Sequence, residues 1–246
     1  MKANAGHNIS AIVIMISALL TMQSCITDGQ GVIRGDGNVR SITYQLDSFR
    51  MINISGMYDV RLEAGDKGEV VLETDENIHE ITDINVEDST LYIRNLKEGA
   101  IRPTRMEMII TYPMLESIVI GGACRLHAPE HITAGSFSIE VSGAADIDLK
   151  FEVTELSTVV SGAAKIVYEG AARRHSADMS GASSLRAENL RTQETSIEIS
   201  GAGSAHVFAL EKLNAVLSGV GSIRYYGEPA EVITDRSGLG RIKKAG

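Results

Sequence analysis

Serines that recur in front of glycine are the first residues in this chain that suggest chemistry. A serine can act as a nucleophile when one particular hydroxyl lies beside a general base. Here the Ser-Gly pair recurs at intervals of 18 to 20 residues, so no single serine stands apart from the others. The repetition therefore predicts a structural role for these hydroxyls, in a ladder at equivalent corners. The pairs begin at Ser142, Ser161, Ser180, Ser200, Ser218 and Ser237.

Carboxylates could form the site of a polysaccharide lyase, and histidines could form a metal site. A lyase of this kind gathers several acids from neighbouring repeats around Ca²⁺, beside a basic residue. Four residues after each repeated serine, however, only Asp146 is acidic, with Asp148 on the same strand face. His127 and His131 have the spacing of a zinc pair on a helix, but Pro129 lies between them and predicts a loop with solvated histidines. We expect no catalytic residue, no metal site and no cofactor.

Cys124 and the aromatic residues give equally little support for a reactive or sugar-stacking site. Cys124 takes a position that Ala, Ser or Gly fills in the other repeats, which predicts packing of a small side chain. The chain has no Trp, seven Tyr and four Phe, so aromatic platforms for sugars are scarce. Tyr226, which follows the inward-facing Tyr225, is the best candidate for an exposed aromatic side chain.

The regular period is the stronger signal, and it predicts the architecture. A repeat of about 19 residues is typical of a solenoid. Apolar residues alternate with polar ones before each serine, as at Ile139 and Val141, which indicates strands with one buried face. Helical repeats are usually longer, and no helical period is present. We therefore predict an all-β fold: a right-handed parallel β-helix with about 19 residues per coil and an irregular, strand-rich N-terminal portion.

The glycines of the repeat are predicted to form the corners of this solenoid. We expect the buried alternation to change phase across each corner, and glycine permits this by adopting positive φ or a bulge without a Cβ clash. The predicted corners are Gly122, Gly143, Gly162, Gly181, Gly201, Gly219 and Gly238.

Four segments are predicted along the chain. Residues 1–24 form a lipoprotein signal peptide, and residues 25–40 form a polar, Gly-rich flexible tether. Residues 41–116 form an irregular β portion that caps the solenoid, with one helical turn in "DENIHEI", a hairpin that turns at Asp88-Ser89 and some antiparallel pairing. Residues 117–246 form the regular β-helix repeats.

The C-terminal end of the solenoid is predicted to expose unpaired strand edges. Arg236, Arg241, Lys243 and Lys244 would deter edge-to-edge association there. The competing interpretation is an oligomer contact through the same end, and the sequence leaves both open.

The N-terminal residues predict an envelope protein. The apolar run "ISAIVIMISALL" is too short to span a bilayer comfortably and is followed by "TMQSC", which resembles a lipobox. Cleavage before Cys25 and acylation of its thiol would hold the protein on a membrane, most simply the outer membrane, without a spanning helix. Lipidation of Cys25 would also leave Cys124 without a disulfide partner. The formal charge of −9 argues against a nucleic-acid surface.

The iterated "SGAADIDL", "SGAAKIVY" and "SGAGSAHV", behind the lipobox and the opening "FRMINISGMYDVRLEAG", resemble the head-GIN-domain family. That family is labelled as auto-transporter adhesins and is frequent in Bacteroidetes-type bacteria. The resemblance covers roughly residues 40–244. It implies a β-helical fold and a cell-envelope location, and it offers no catalytic motif to transfer to this chain.

These observations favour a non-enzymatic envelope lipoprotein that presents sheet faces to an unknown protein or glycan, as an adhesin-like module or scaffold. One alternative is a polysaccharide-active, lyase-like β-helix. Another is a structural or stress-response envelope protein with no dedicated ligand. A groove with convergent charges would favour the lyase, and a broad contact surface would favour the binding module.

Overall fold

The computed structural model describes residues 31–245. The predicted signal peptide, Cys25 and the first part of the predicted tether lie outside these residues. Within them, no helix is long and apolar enough to cross a membrane. The predicted β-solenoid is confirmed: the chain winds through about seven coils of roughly 19 residues.

The regular coils consist of ten parallel strands that stack in chain order. Each strand pairs with the equivalent segment one coil later, so that residues at equivalent positions form columns along the solenoid axis. The strands are β10 (Ser117–Ile120), β11 (Ala123–Val141), β12 (Ala144–Val160), β13 (Ala163–Met179), β14 (Ala182–Ile199), β15 (Ala202–Phe208), β16 (Lys212–Leu217), β17 (Val220–Tyr226), β18 (Glu231–Arg236) and β19 (Leu239–Lys244), numbered after the nine strands of the preceding portion.

The N-terminal portion begins as a further coil and then closes the end of the core. Its elements are β1 (Ile33–Arg34), β2 (Val39–Gln45), β3 (Met51–Ser55), β4 (Met57–Ala64), β5 (Glu69–Asp75), α1 (Glu76–His79), β6 (Thr82–Glu87), β7 (Thr90–Asn95), β8 (Ile101–Arg102) and β9 (Met106–Tyr112). Strands β3 and β4 pair in parallel with β10 and β11. Strands β2, β5 and β6 then add antiparallel pairs, which confirms the antiparallel pairing predicted for this portion. The predicted turn at Asp88-Ser89 is also confirmed, because both residues have positive φ between β6 and β7.

The predicted tether is wrong for residues 33–40. Strand β1 pairs with β8, and β2 begins at Val39. The buried carboxylate of Asp75 fixes the segment between them, since it accepts hydrogen bonds from the Gly37 N–H (2.8 Å) and the Thr104 N–H (2.7 Å). Burial alone would raise the pKa of Asp75, but the hydrogen bonds from Thr104 and Gly37 outweigh it and lower the pKa below its ordinary value. A polar, Gly-rich composition did not reveal this anchor.

The core is a continuous apolar column with aromatic rings stacked along it. Phe137 and Phe151 lie with their ring centroids 5.3 Å apart, and Phe151 meets Tyr168 edge-on at 5.1 Å. All three side chains are almost completely buried. Aromatic pairs at such distances add to the stability that burial itself provides.

The buried alternation does not change phase at the glycine corner, contrary to our prediction. Ile139, Val141, Ala145 and Ile147 are all buried at even spacings, so the phase continues across Gly143. The change occurs later in the coil, where Val153 and Leu156 are both buried at an odd spacing. It follows that the residue after each corner glycine, such as Ala144, faces outward.

The predicted corner glycines lie in one file, and the reason is close approach between coils. A Cβ built on each of them would lie far closer than 3.0 Å to the carbonyl oxygen of the glycine one coil earlier, a distance that real Cβ atoms essentially never show. The file starts at Gly56 and continues through Gly122, Gly143, Gly162, Gly181, Gly201, Gly219 and Gly238. Positive φ, the reason we expected, applies to Gly56 alone among these eight.

Hydrogen bonding explains why the backbones come so close at the corner. The Ala163 N–H donates to the Gly143 oxygen (3.0 Å), and the Ala182 N–H donates to the Gly162 oxygen (3.1 Å). The inter-coil ladder therefore continues through the corner, and each glycine oxygen lies beneath the next glycine Cα. Any side chain at this position would separate the coils and break these bonds.

We predict that Gly162→Ala lowers the free energy of unfolding by about 1–3 kcal/mol, as overpacking against a rigid neighbour usually does. Urea unfolding followed by far-UV circular dichroism measures the change. Gly135→Ala is the matched control, because a Cβ on the exposed Gly135 meets no atom within 4 Å. Its stability should stay within about 1 kcal/mol of the parent. Equal destabilisation by both substitutions would contradict the proposed reason for the glycine file.

Candidate binding faces

The repeated corner serines are exposed. The Ser180 hydroxyl donates to the Val160 oxygen (3.3 Å), and the Ser142 hydroxyl lies 3.5 Å from the Ile120 oxygen. In both cases the acceptor belongs to the preceding coil. These two hydroxyls therefore support the stacking of the coils through the backbone, which agrees with the structural role that we expected.

The other residues considered for chemistry are dispersed. His127 and His131 lie on β11 and not in a loop, so that prediction is wrong; both are exposed, and the strand register shifts between them. Asp146 and Asp148 face outward, with Asp146 at 3.9 Å from Lys165 and Asp148 at 3.9 Å from His127. Residues 31–245 contain no group of three or more His, Cys, Asp or Glu side chains that could hold a metal ion.

Cys124 is buried and lies in register with Tyr58 of the preceding coil. Burial raises the pKa of its thiol to about 12, and the carboxylate of Asp59 contributes to the same shift. The thiolate is the nucleophilic form of cysteine, so this residue is unreactive at neutral pH.

A row of hydroxyls runs along the outer side of the strand segments that precede the corners. We call this side the pre-corner face (residues 117–120, 136–141, 155–160, 174–179, 194–199 and 212–217). Five serines and one asparagine stack in register over six coils, which we call the serine ladder: Ser117, Ser138, Ser157, Ser176, Ser196 and Asn214. At the usual spacing of parallel strands the ladder is roughly 24 Å long. The central hydroxyls, of Ser157 and Ser176, are exposed and have no hydrogen-bond partner within residues 31–245.

The serine ladder lines a trough of about 1020 Å³. A column of alternating charge borders the ladder on one side: Glu155, Arg174, Glu194 and Lys212. Arg174 pairs with Glu155 and also interacts electrostatically with Glu194, and Lys212 pairs with Glu231 (3.0 Å). On the other side of the ladder, outside the trough, Glu140, Asp178 and Glu198 are exposed and form no ion pair in the described chain. The trough therefore offers a row of hydroxyls, which exchange hydrogen bonds with polyols, beside a column in which acidic and basic side chains alternate.

Sequence reasoning missed the serine ladder, although its signal was present. Each ladder residue stands four positions before the residue that occupies the corner, as Ser138 does before Ser142 and Ser157 before Ser161. The period that identified the corner serines would have identified this second set. The Ser-Gly motif is more conspicuous in the sequence, but its serines are not the ones that form the ladder.

His175 lies at the floor of the trough and belongs to the core. Its side chain is 2% exposed, and its Nε2 lies 3.3 Å from the Thr158 Oγ1. Thr158 in turn donates to the Tyr168 hydroxyl (3.4 Å). Burial lowers the pKa of His175 to about 4, so the imidazole is neutral at physiological pH.

Comparison with known proteins identifies relatives of the whole domain. A family model described as "Putative auto-transporter adhesin, head GIN domain" matches residues 48–229. A comparison with curated proteins found no match.

Several solved structures share this fold. A "putative adhesin" from Bacteroides fragilis is 24% identical, with a TM-score of 0.84 over 87% of this chain and 100% of that one. A "putative adhesin" from Parabacteroides merdae is 20% identical, with a TM-score of 0.67 over 87% and 99%. A "putative lipid binding protein" from Parabacteroides distasonis is 20% identical, with a TM-score of 0.70 over 88% and 100%. At these identities the likeness concerns the fold alone.

We predict that His175 makes stability depend on pH between about 6.5 and 4. Its pKa is lower in the folded than in the unfolded chain, so the unfolded chain binds the additional proton and folding weakens as the pH falls through this window. This difference in pKa corresponds to a loss of about 3 kcal/mol in the free energy of unfolding. Urea unfolding at a series of pH values measures it. His175→Leu should flatten this part of the profile, whereas the exposed control His131→Gln should not. An unchanged profile in His175→Leu would contradict the assignment.

Proposed function

Because the chain belongs to the "Putative auto-transporter adhesin, head GIN domain" family, we propose that it is a non-enzymatic binding protein of the cell envelope whose trough holds an extended, neutral glycan. The serine ladder is the observation that carries this proposal. It repeats a hydrogen-bonding group in six successive coils, as a ligand with its own repeating unit requires. An enzyme would instead need one coil to differ from its neighbours.

The chemistry of the trough favours hydroxyl-rich chains over other ligands. The free hydroxyls of Ser157 and Ser176 can donate to and accept from sugar hydroxyls. The carboxylates of Glu155 and Glu194, which line the trough, accept hydrogen bonds only, and bonds from a sugar hydroxyl to a carboxylate are stronger than those between neutral groups. Because Arg174 and Lys212 line the same trough, acidic and basic side chains alternate there, and no excess of positive charge favours an acidic ligand. Because the ladder runs from coil to coil, the bound chain lies along the solenoid axis.

Anchoring completes the proposal. Acylation of Cys25 holds the protein on a membrane, and we place it at the outer membrane as a lipoprotein. Residues 26–32 then separate the lipid from β1, and the serine ladder begins at Ser117, beyond the cap. This arrangement presents the trough away from the anchor.

We predict that Ser157→Ala/Ser176→Ala weakens glycan binding about tenfold, because two hydrogen bonds of ordinary strength are lost. The full-length protein in detergent is first screened on an array of neutral and acidic glycans, and the affinity for the best neutral ligand is then compared between variants. Ser161→Ala/Ser200→Ala is the matched control, with two exposed corner serines outside the trough. It should bind as the parent does.

Three results of this experiment would contradict the proposal. The array could show no neutral glycan that binds; both double variants could bind equally well; or the array ligand could be shortened progressively by the protein, which would indicate an enzyme. Capture of a protein partner whose binding survives Ser157→Ala/Ser176→Ala would also place the binding surface elsewhere.

A separate prediction concerns the anchor. Cys25→Ser should abolish metabolic labelling by a palmitate analogue and move the protein from the membrane fraction to the soluble fraction, since acyl chains supply the membrane affinity. Cys124→Ser is the control, because Ser183 occupies the equivalent position three coils later along the same column. It should retain the label. Labelling that persists in Cys25→Ser would exclude this residue as the lipidation site.

A further inference from the structure

A second surface carries a row of basic side chains. It lies on the outer side of the strand segments that follow the corners, which we call the post-corner face. Four residues stack in register there and form what we call the basic column: Arg186, His206, Arg224 and Lys243. At the spacing of parallel strands the column is roughly 14 Å long.

Ion pairing neutralises the opposite end of this face but not the basic column. In the first coils, Arg125 pairs with Asp59 (2.6 Å), and Lys165 lies 3.9 Å from Asp146. Arg224, Lys243 and the neighbouring Arg241 form no ion pair within residues 31–245. Within the described residues, Arg186 is the one member of the column that forms an ion pair, with Glu188 at 3.2 Å. Although the protein is acidic overall, cations without an ion pair are therefore concentrated at the basic column.

Two further rows run parallel to the basic column. Ser184, Ser204 and Ser222 stack beside it, and the Ser204 hydroxyl lies 3.4 Å from that of Ser184. Beyond these hydroxyls lie Val220 and Leu239, which are 57% and 79% exposed. The face therefore presents cations, hydroxyls and apolar side chains in three adjacent rows.

We propose that this surface binds a linear acidic polysaccharide that lies along the solenoid axis. Each class of group on such a chain finds a matching row: its carboxylates pair with the basic column, its hydroxyls bond to the serines, and its C–H faces pack on Val220 and Leu239. One sugar unit of an extended polysaccharide is close in length to the spacing between coils, so successive units meet successive coils. A lipid surface would use the cations and the apolar row but not the hydroxyls between them.

This site goes beyond the neutral-glycan trough and is independent of it. The two surfaces lie on opposite sides of the glycine file and differ in charge, since the trough carries side chains of both signs and the basic column carries only basic ones. Loss of binding at one leaves the other intact, so the two proposals fail separately.

Binding of full-length protein to immobilised polygalacturonate tests the proposal. Methyl-esterified polygalacturonate of the same length is the matched ligand control, because esterification removes the charge of each carboxylate and leaves the sugar backbone unchanged. We expect binding to the acid form alone, with an affinity that falls as ionic strength rises. Arg224→Gln/Lys243→Gln should weaken it about tenfold or more, since two charge-assisted bonds are lost. The control Lys67→Gln/Lys97→Gln removes the same charge from exposed residues of the N-terminal portion and should bind as the parent does.

Several outcomes would overturn the proposal. Equal binding of the acid and the methyl ester would exclude recognition of charge. Equal weakening by both double variants would reduce the effect to net charge. Binding to anionic phospholipid vesicles without binding to polygalacturonate would assign the surface to a membrane, and the absence of binding to both would leave it without a ligand role.

Discussion

The close approach of successive backbones at the glycine corner is the constraint on which the rest of this structure depends. The oxygen of each corner glycine accepts a hydrogen bond from the coil above, as Gly143 does from Ala163, and only a glycine can lie directly over it. Because the same contact recurs in every coil, each coil is held in one register relative to the last. Residues before and after the corner then stack in columns, and no other contact is needed to set their register. The strand register shifts outside the file, between His127 and His131 and between Val167 and Glu169.

Because equivalent residues stack in columns, a repeated sequence produces rows of the same chemical group on the surface. The pre-corner segments present hydroxyls beside a column of alternating charge, and the post-corner segments present charges whose pairing changes along the axis. Near the cap these charges neutralise one another, as Arg125 and Asp59 do, whereas toward the C-terminal coils Arg224 has no such partner in the described residues. One fold thereby carries two surfaces with different ligand preferences. Neither surface needs a departure from the regular backbone, which is consistent with a binding module.

The sequence predicted the architecture well because its period states directly which residues are equivalent. It predicted the corner mechanism badly, since a glycine is compatible both with positive φ and with close approach, and composition cannot distinguish them. The burial of His175 could have been found by alignment with Phe137 and Leu156, its column neighbours, but a histidine reads as a surface residue when it is considered alone. The anchoring of residues 33–40 could not be found, because it depends on Asp75 and Thr104, which are distant in the chain.

Distances measured along the serine ladder test the central claim most directly. Nitroxide labels are introduced in pairs at Ser117, Ser138, Ser196 and Asn214, and the separations are measured by double electron–electron resonance. The single file predicts a common step of about 4.8 Å per coil, so that pairs three, four and five coils apart are separated by roughly 14, 19 and 24 Å. Separations that fit no single step per coil would contradict the register that the glycine file imposes.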